Sequence, residues 1–264
     1  MEYAPNLTAF PAIHSWHLHR LAETDSTNNE AKRLVAQGVS HGTAILATAQ
    51  KGGRGRLGRQ FSSPTGGLYL TALLHTKLPP DLLLHLTPMT AVAVRRGIEK
   101  ACGLSVQIKW INDLIWQGKK LGGILTELVP KEDGTWVIIG IGINGTTDPQ
   151  NLPPEVRSMA VSLEQITGQP PDLSRLADSI LQELSKMAEE FLSHQAQWME
   201  EYAANCATLG KAVQVVRGDY RRKAFVLGID PEGGLRVRYE NREEETVSSG
   251  EVSIRGMYGY TDDF

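Results

Sequence analysis

Nine residues, Lys51 to Arg59, set four glycines among three arginines, and that run decides what its surroundings form. Ala44 to Ala49 before it and Leu68 to Leu74 after it are apolar and read as strands. Glycine lets a backbone take positive φ and approach a ligand closely, so successive N–H groups form an anion-binding nest. Arginine adds a planar fork of donors suited to phosphate or carboxylate. So many glycines cost entropy unless the loop closes on something. Gly53, Gly55 and Gly58 match a dinucleotide fingerprint as a bare string. That fingerprint needs a helix directly afterwards, and here Gln60 to Gly67 lead into another strand. The expectation is a strand–loop–strand clamp that orders around an anion.

The clamp has to act locally, because the net charge of the 264 residues is −3 and supplies no general attraction for nucleic acid or an anionic membrane. The chain is 41% hydrophobic and 22% charged, as in an ordinary globular protein, with room for two domains. Cys102 and Cys206 lie far apart without metal-ligand spacing and read as free thiols of a reducing compartment. The first residues show no secretory signal and no apolar run is long enough to span a membrane, so the expected location is cytoplasmic.

Asp25 to Glu30 reads as a helix start, and Gly38 as its end. Leu82 to Lys100 has helical spacing with Pro88 as an interruption. Val106 to Trp110, Leu121 to Leu128 and Trp136 to Ile143 read as strands, and Thr146 to Arg157 as a loop. From the cap Asp172, the residues Leu173, Leu176, Ile180, Leu184, Met187 and Phe191 mark a long amphipathic helix. After Leu209 the pattern changes to short strands at 212–217, 223–229, 235–240, 244–247 and 252–254. The expected architecture is α+β: a mixed-sheet domain with packed helices over 1–209, and a small SH3-like β-barrel over 210–264.

Four segments of the larger domain carry more polar chemistry than a core needs. Ser26, Thr27 and Asn28 crowd a helix start, although capping alone accounts for such residues. Gln50 precedes the arginine loop. Asn112 and Asp113 follow Lys109 and Trp110 where a hairpin would return Lys120 to the strand end, or they are simple turn formers. Gly140 and Gly142 interrupt an apolar strand before Asn144, which points to a ligand packed on them. His14, His17 and His19 read as an exposed polar face rather than a metal site.

In order and spacing these segments resemble the biotin–protein ligases. The resemblance rests on Asp25-Ser-Thr-Asn28, Gln50, Gly53-Arg-Gly-Arg-Leu-Gly-Arg59, Lys109-Trp-x-Asn-Asp113, Lys120-Leu-Gly-Gly-Ile-Leu-x-Glu127, Gly140-Ile-Gly-Ile-Asn144 and Gly250-Glu-Val-Ser-Ile-Arg255. It implies an ATP-dependent, AMP-forming ligase that makes biotinyl-5′-AMP with Mg²⁺ and passes biotin to a lysine of a biotin carboxyl-carrier domain. It also implies roles. Ser26, Thr27, Asn28 and Gln50 would face biotin. Arg54, Gly55 and Arg56 would close over biotin and the adenylate, and Lys120 would hold carboxylate and phosphate oxygens; Lys120, Arg54 and Arg56 are thus the catalytic candidates. Gly53, Phe61, Asn112, Asp113, Asn144 and Arg255 would lie on the nucleotide side. No metal site built by the protein is expected. Members often dimerise by sheet extension, which implies a homodimer. The 25 residues before Ser26 are too few for the DNA-binding domain of bifunctional members.

Two departures from the family pattern stand out: Ile111 where proline is common, and Gly145-Thr146 where Val-Asn is common. A lipoate-type ligase shares the architecture, but the loop and the Lys-Trp motif favour biotin. A nucleic-acid-binding module would need a basic stripe, against which stand the net charge and the acidic Glu243 to Glu245.

Overall fold

A computed structural model describes residues 8–146, 148–248 and 252–255, with backbone alone at 149 and 252–255. The elements are β1 (His17–Leu21), α1 (Thr27–Ala36), β2 (Thr43–Ala47), β3 (Leu68–Thr76), α2 (Leu86–Cys102), β4 (Gln107–Lys109), β5 (Asp113–Trp116), β6 (Lys119–Lys131) and β7 (Gly134–Ile143). They continue as α3 (Pro154–Arg157), α4 (Leu163–Thr167), α5 (Leu173–Glu190), α6 (Gln195–Ala204), β8 (Ala212–Arg217), β9 (Tyr220–Ile229), β10 (Leu235–Tyr239), β11 (Glu244–Val247) and β12 (Val252–Arg255).

The first seven strands form one mixed sheet in the order β1-β2-β3-β7-β6-β5-β4. β1 runs parallel to β2, and the other neighbours are antiparallel. β3 and β7 are covered on both faces, so alternate side chains enter different cores. Leu70, Leu74, Ile139 and Ile141 join the large core beneath α2 and α5, whereas Leu73, Trp136 and Ile138 meet Ala31 and Val35 of α1. α2 and α5 approach closely at Gly97, where a Cβ would stand 2.6 Å from Ile180 Cγ1.

α5 follows its sequence period: Asp172 Oδ1 accepts the N–H groups of Ser174 and Arg175, and Leu176, Ile180, Leu184 and Met187 are buried. α2 differs from expectation. It begins at Leu86, so Pro88 sits in the first turn, where a backbone N–H has no intrahelical acceptor and its loss interrupts nothing. Leu82 belongs to a separate 3₁₀ turn, Pro80–Leu83. The stretch expected as a loop after Thr146 contains α3, and α4 beyond it is closed by a capping box between Ser162 and Gln165.

The last five strands form an antiparallel sheet in the order β11-β10-β9-β8-β12. Its β9–β10 turn meets the residue after β4 and the residue before α2: Trp110 Nε1 donates to the Gly233 carbonyl at 3.0 Å, and His85 Nε2 lies 2.6 Å from the Pro231 carbonyl. Among the described residues no helix is long and apolar enough to cross a membrane.

Candidate active site

β2 and β3 deliver the glycine–arginine loop over one end of the sheet, and beneath it lies a cavity of about 700 Å³. The start of α1, the Lys109–Asp113 segment and the near ends of β6 and β7 form its other walls. The loop is the roof; α1, β6 and β7 are the floor. Strand–loop–strand is what the sequence predicts, with Leu57 and Gly58 in left-handed conformation at the tip (φ 56° and 71°).

The floor is tightly interlocked. Ser26 is extended before α1 and its side chain makes no capping bond. The first N–H of the helix goes elsewhere: Thr27 N and Oγ1 both donate to Gln50 Oε1, at 2.8 and 3.1 Å. Gln50 Nε2 donates to Ser63 Oγ at 2.8 Å, so the Gln50 amide lines the cavity in one orientation. Asn28 is buried and lies across Gly140, where a Cβ would come within 2.1 Å of Asn28 Oδ1. The Phe61 ring covers Gly142 in the same way, at 2.5 Å from a hypothetical Cβ. The strand glycines therefore make room for two side chains of the protein itself, both of which line the cavity.

The β5–β6 hairpin turns on Gln117 and Gly118, both with positive φ (46° and 77°), the conformation of a tight two-residue turn. It returns Lys120 beside Asp113, with Nζ 2.6 Å from Oδ1. Gly123 passes beneath this pair, 3.3 Å from Lys120 Nζ as measured from a Cβ position. Lys120 Nζ also lies 5.7 Å from the centre of the Phe61 ring.

The roof supplies further positive charge. Arg54 Nη1 reaches Glu127 Oε1 and Asn29 Oδ1, both at 3.2 Å. Arg56 Nη1 donates to Asn112 Oδ1 at a long 3.4 Å. Burial pushes the Arg56 pKa down, and the carboxylate of Asp113 opposes that shift. An arginine beginning above 12 remains charged throughout. Five cationic side chains thus line one cavity, Arg54, Arg56 and Arg59 from the roof, Lys109 from β4 and Lys120 from β6, beside a neutral polar pocket made by Ser26, Thr27, Asn28 and Gln50.

Of the residues singled out by sequence, Ser26, Thr27, Asn28, Gln50, Arg54, Gly55, Arg56, Phe61, Asn112, Asp113, Lys120 and Asn144 line the cavity. Gly53 does not. It pairs with the returning chain, its carbonyl accepting Phe61 N at 2.9 Å, and a Cβ there would stand 2.3 Å from the Phe61 carbonyl oxygen. Asn144 is turned partly to structure, donating through Nδ2 to the Val161 carbonyl at 3.0 Å. The side chain of Arg255 lies outside the described residues; its backbone pairs with Gln214 in β8. His14, His17 and His19 are exposed, and among the described residues no three His, Cys, Asp or Glu side chains cluster as a metal site.

Sequence reasoning missed two parts of the wall. Lys109 lines the cavity from β4 although its side chain is largely buried. Leu152, Val156 and Met159 close another side, held because Lys120 N donates to the Met159 carbonyl at 2.7 Å and Val161 N to the Lys120 carbonyl at 3.0 Å. Their spacing of four and three residues was the available signal.

Comparison with known proteins agrees with this geometry. The Biotin/lipoate A/B protein ligase family matches residues 21–144, and the Biotin protein ligase C terminal domain matches 208–255. The bifunctional ligase/repressor BirA of Bacillus subtilis is 37% identical over 236 residues, covering 87% of this chain and 71% of that protein. The biotin–[acetyl-CoA-carboxylase] ligase of Paracoccus denitrificans is 31% identical over 229 residues, covering 83% of this chain and 92% of the other. Among solved structures, the biotin protein ligase of Aquifex aeolicus in complex with biotin and ATP superposes with a TM-score of 0.77 at 31% identity, covering 90% of this chain and 98% of that one. A glycine–arginine roof over an interlocked polar floor, together with this similarity along most of both chains, places the chain in the biotin protein ligase family.

Proposed function

We propose that the cavity is where this chain joins biotin to ATP, with the roof and Lys120 as its electrostatic machinery. The protein is a biotin protein ligase: it activates biotin as biotinyl-5′-AMP and transfers it to a lysine of a carboxyl-carrier protein. The biotin carboxylate attacks the α-phosphorus of ATP, a P–O bond to the leaving pyrophosphate breaks, and a mixed anhydride results. Two anions must meet, which is unfavourable unless cations neutralise them. The convergence of Arg54, Arg56 and Lys120 on one cavity is the observation that carries this reading. Asp113 holds Lys120 at the end of β5, from where the ammonium would reach carboxylate and phosphate oxygens as they come together.

Ser26, Thr27, Asn28 and Gln50 form the biotin side, the last acting through the orientation it imposes on Thr27. Asn112, Asp113, Asn144 and Phe61 form the nucleotide side, with Gly53 supporting Phe61 and Arg255 contributing from β12. A closed roof would shield the anhydride from water until the carrier lysine arrives as nucleophile. Mg²⁺ fits as a companion of the nucleotide: Asp113 and Glu155 are the carboxylates on the wall, and Mg²⁺ typically takes one or two carboxylates plus substrate phosphates. It would neutralise phosphate charge.

Further parts of the reading concern assembly. We divide the chain at Gly210 into a catalytic domain and a C-terminal domain whose sheet closes as an SH3-like barrel. β1 is a sheet edge and offers a route to a homodimer by sheet extension. Free Cys102 and Cys206 support a reducing, cytoplasmic location. The test of function is exchange of labelled pyrophosphate into ATP with Mg²⁺ and biotin, lipoate or octanoate. Exchange with biotin alone is expected. Exchange with lipoate instead would move the chain to the other branch of the family, and none with any acid would refute adenylation.

A further inference from the structure

Glu127 lies on β6 just outside the cavity wall, and its two oxygens face different parts of the site. Oε2 accepts from Asn28 Nδ2 at 2.9 Å. Oε1 accepts from Lys32 Nζ at 2.8 Å and from Arg54 Nη1 at 3.2 Å. One carboxylate therefore connects the buried floor to the cationic roof.

The Asn28 amide shows what this does. Its Oδ1 accepts from Thr71 Oγ1 at 2.8 Å, and its Nδ2 donates to Glu127 and, at 3.3 Å, to the Leu125 carbonyl. A hydroxyl is donor or acceptor at will, so Thr71 tolerates either orientation of the amide. An ionised carboxylate only accepts, and turning the amide over would set its oxygen against two acceptors. Glu127 stays ionised: burial raises its pKa, but hydrogen bonds from Lys32 and Asn28 and the charges of Lys32 and Arg54 outweigh that and leave it lowered. Glu127, which takes the shorter of the two Asn28 Nδ2 bonds, thus sets together with the Leu125 carbonyl which edge Asn28 turns to the cavity. Arg54 is exposed along much of its length and reaches the same carboxylate, so the roof is tethered at the point where the floor is oriented.

We propose that Glu127 is a positioning residue for the biotin half of the site, setting the amide orientation of Asn28 with one oxygen and tethering Arg54 of the roof loop with the other. This rests on the ligase reading above. It differs from a surface ion pair with Lys32, which would affect neither substrate.

The test is steady-state pyrophosphate exchange for wild type, Glu127→Gln, Asn28→Ala, the double variant, and Lys32→Ala. Glu127→Gln has the same shape but must offer an amide N–H to Asn28, Lys32 or Arg54. It is expected to raise KM for biotin about tenfold, with KM for ATP within about twofold of wild type. Most of that rise should vanish in the Asn28→Ala background, because groups acting through one another are not additive. Lys32→Ala should leave both KM values within about twofold. The proposal is overturned by an unchanged biotin KM in Glu127→Gln, by equal rises for biotin and ATP, by full additivity with Asn28→Ala, or by an equal effect of Lys32→Ala. Should Glu127→Gln fold poorly, Thr71→Val keeps the test open: Glu127 still orients the amide there, so a biotin KM raised as much as in Asn28→Ala overturns the proposal. Exchange by wild type with an indifferent Glu127→Gln defeats this proposal alone; no exchange by wild type defeats the ligase reading and this proposal with it.

Discussion

The roof and the floor of the cavity are both rich in glycine, and Gly58 at the tip of the roof is the opposite of Gly140 and Gly142 in the floor. In the floor, Gly140 and Gly142 are filled against: a Cβ would run into Asn28 and Phe61 at 2.1 and 2.5 Å. In the roof, Gly58 has nothing within 4 Å of a Cβ and is held at φ +71°. Floor polar groups meet at 2.8–3.3 Å in a continuous network through Gln50, Asn28, Thr71 and Glu127, and Arg54 and Arg56 of the roof reach Glu127, Asn29 and Asn112 at 3.2–3.4 Å. The floor is packed into one shape; the roof carries charge on a largely exposed loop in which, of residues 51–59, Gly53 alone is buried. The floor sets the shape of the cavity, and positive charge reaches it from the roof arginines and from Lys120 of β6.

The largest effect that would sharpen this division is Arg56→Ala. It should lower the exchange rate by about 10²–10³-fold, as for loss of an oxyanion donor, while the melting temperature moves by no more than a few degrees. Unchanged exchange would remove the roof from the chemistry. The mirror experiment is Gly140→Ala in the floor, where overpacking against buried Asn28 should cost about 1–3 kcal/mol, read as a lower midpoint in urea at unchanged slope. Gly58→Ala in the roof meets open space and should cost about 1–2 kcal/mol, from the left-handed backbone alone. If Gly58→Ala proves clearly more costly than Gly140→Ala, the contrast between the regions fails.

A smaller effect concerns the start of α1, where Arg33 Nη2 lies 2.7 Å from Asp25 Oδ1. That hydrogen bond holds the Asp25 pKa far below the usual carboxylate range against the opposing effect of burial. A depressed folded-state pKa means that the stabilisation is complete above the unfolded value near pH 4, and is lost as pH falls through the folded one. Both partners are about half exposed, so Arg33→Leu should be less stable than wild type by no more than about 1 kcal/mol above about pH 4, a difference that shrinks as pH falls below it. Tyr239 in the C-terminal sheet has the opposite sign. Burial, then its 2.5 Å hydrogen bond to Glu245, pushes its pKa up to about 12. Its contribution is therefore complete below about pH 10 and fades between pH 10 and 12, and Tyr239→Phe should flatten that limb.

Much of the site was legible because its residues sit where local rules place them. Glycines among arginines between two apolar runs had to be a loop between strands, and the separation of Asp113 from Lys120 suits a hairpin. α5 was legible from its period and the Asp172 cap. What escaped depends on distant partners. Pro88 reads as a break until the helix start moves to Leu86. Gly140 and Gly142 read as a ligand-packing surface, yet Asn28 and Phe61 occupy them, more than 80 residues away in sequence. β1 is an edge strand whose sequence, His-Leu-His-Arg-Leu, carries only a weak apolar pattern. The Leu152–Met159 wall depends on pairing between the Lys120 backbone and residues 159–161, and Lys109 is placed by the pairing of β4 with β5.

Hydrogen exchange of the backbone amides, with and without biotin plus ATP, tests the two-part site most directly. The expected result is slowed exchange at 51–59 when both substrates are present, with the β6 and β7 amides at 122–127 and 138–143 already protected and little changed. Unaltered exchange at 51–59, or protection appearing equally in the floor strands, would contradict a cavity with a preformed floor and a roof that closes over its substrates.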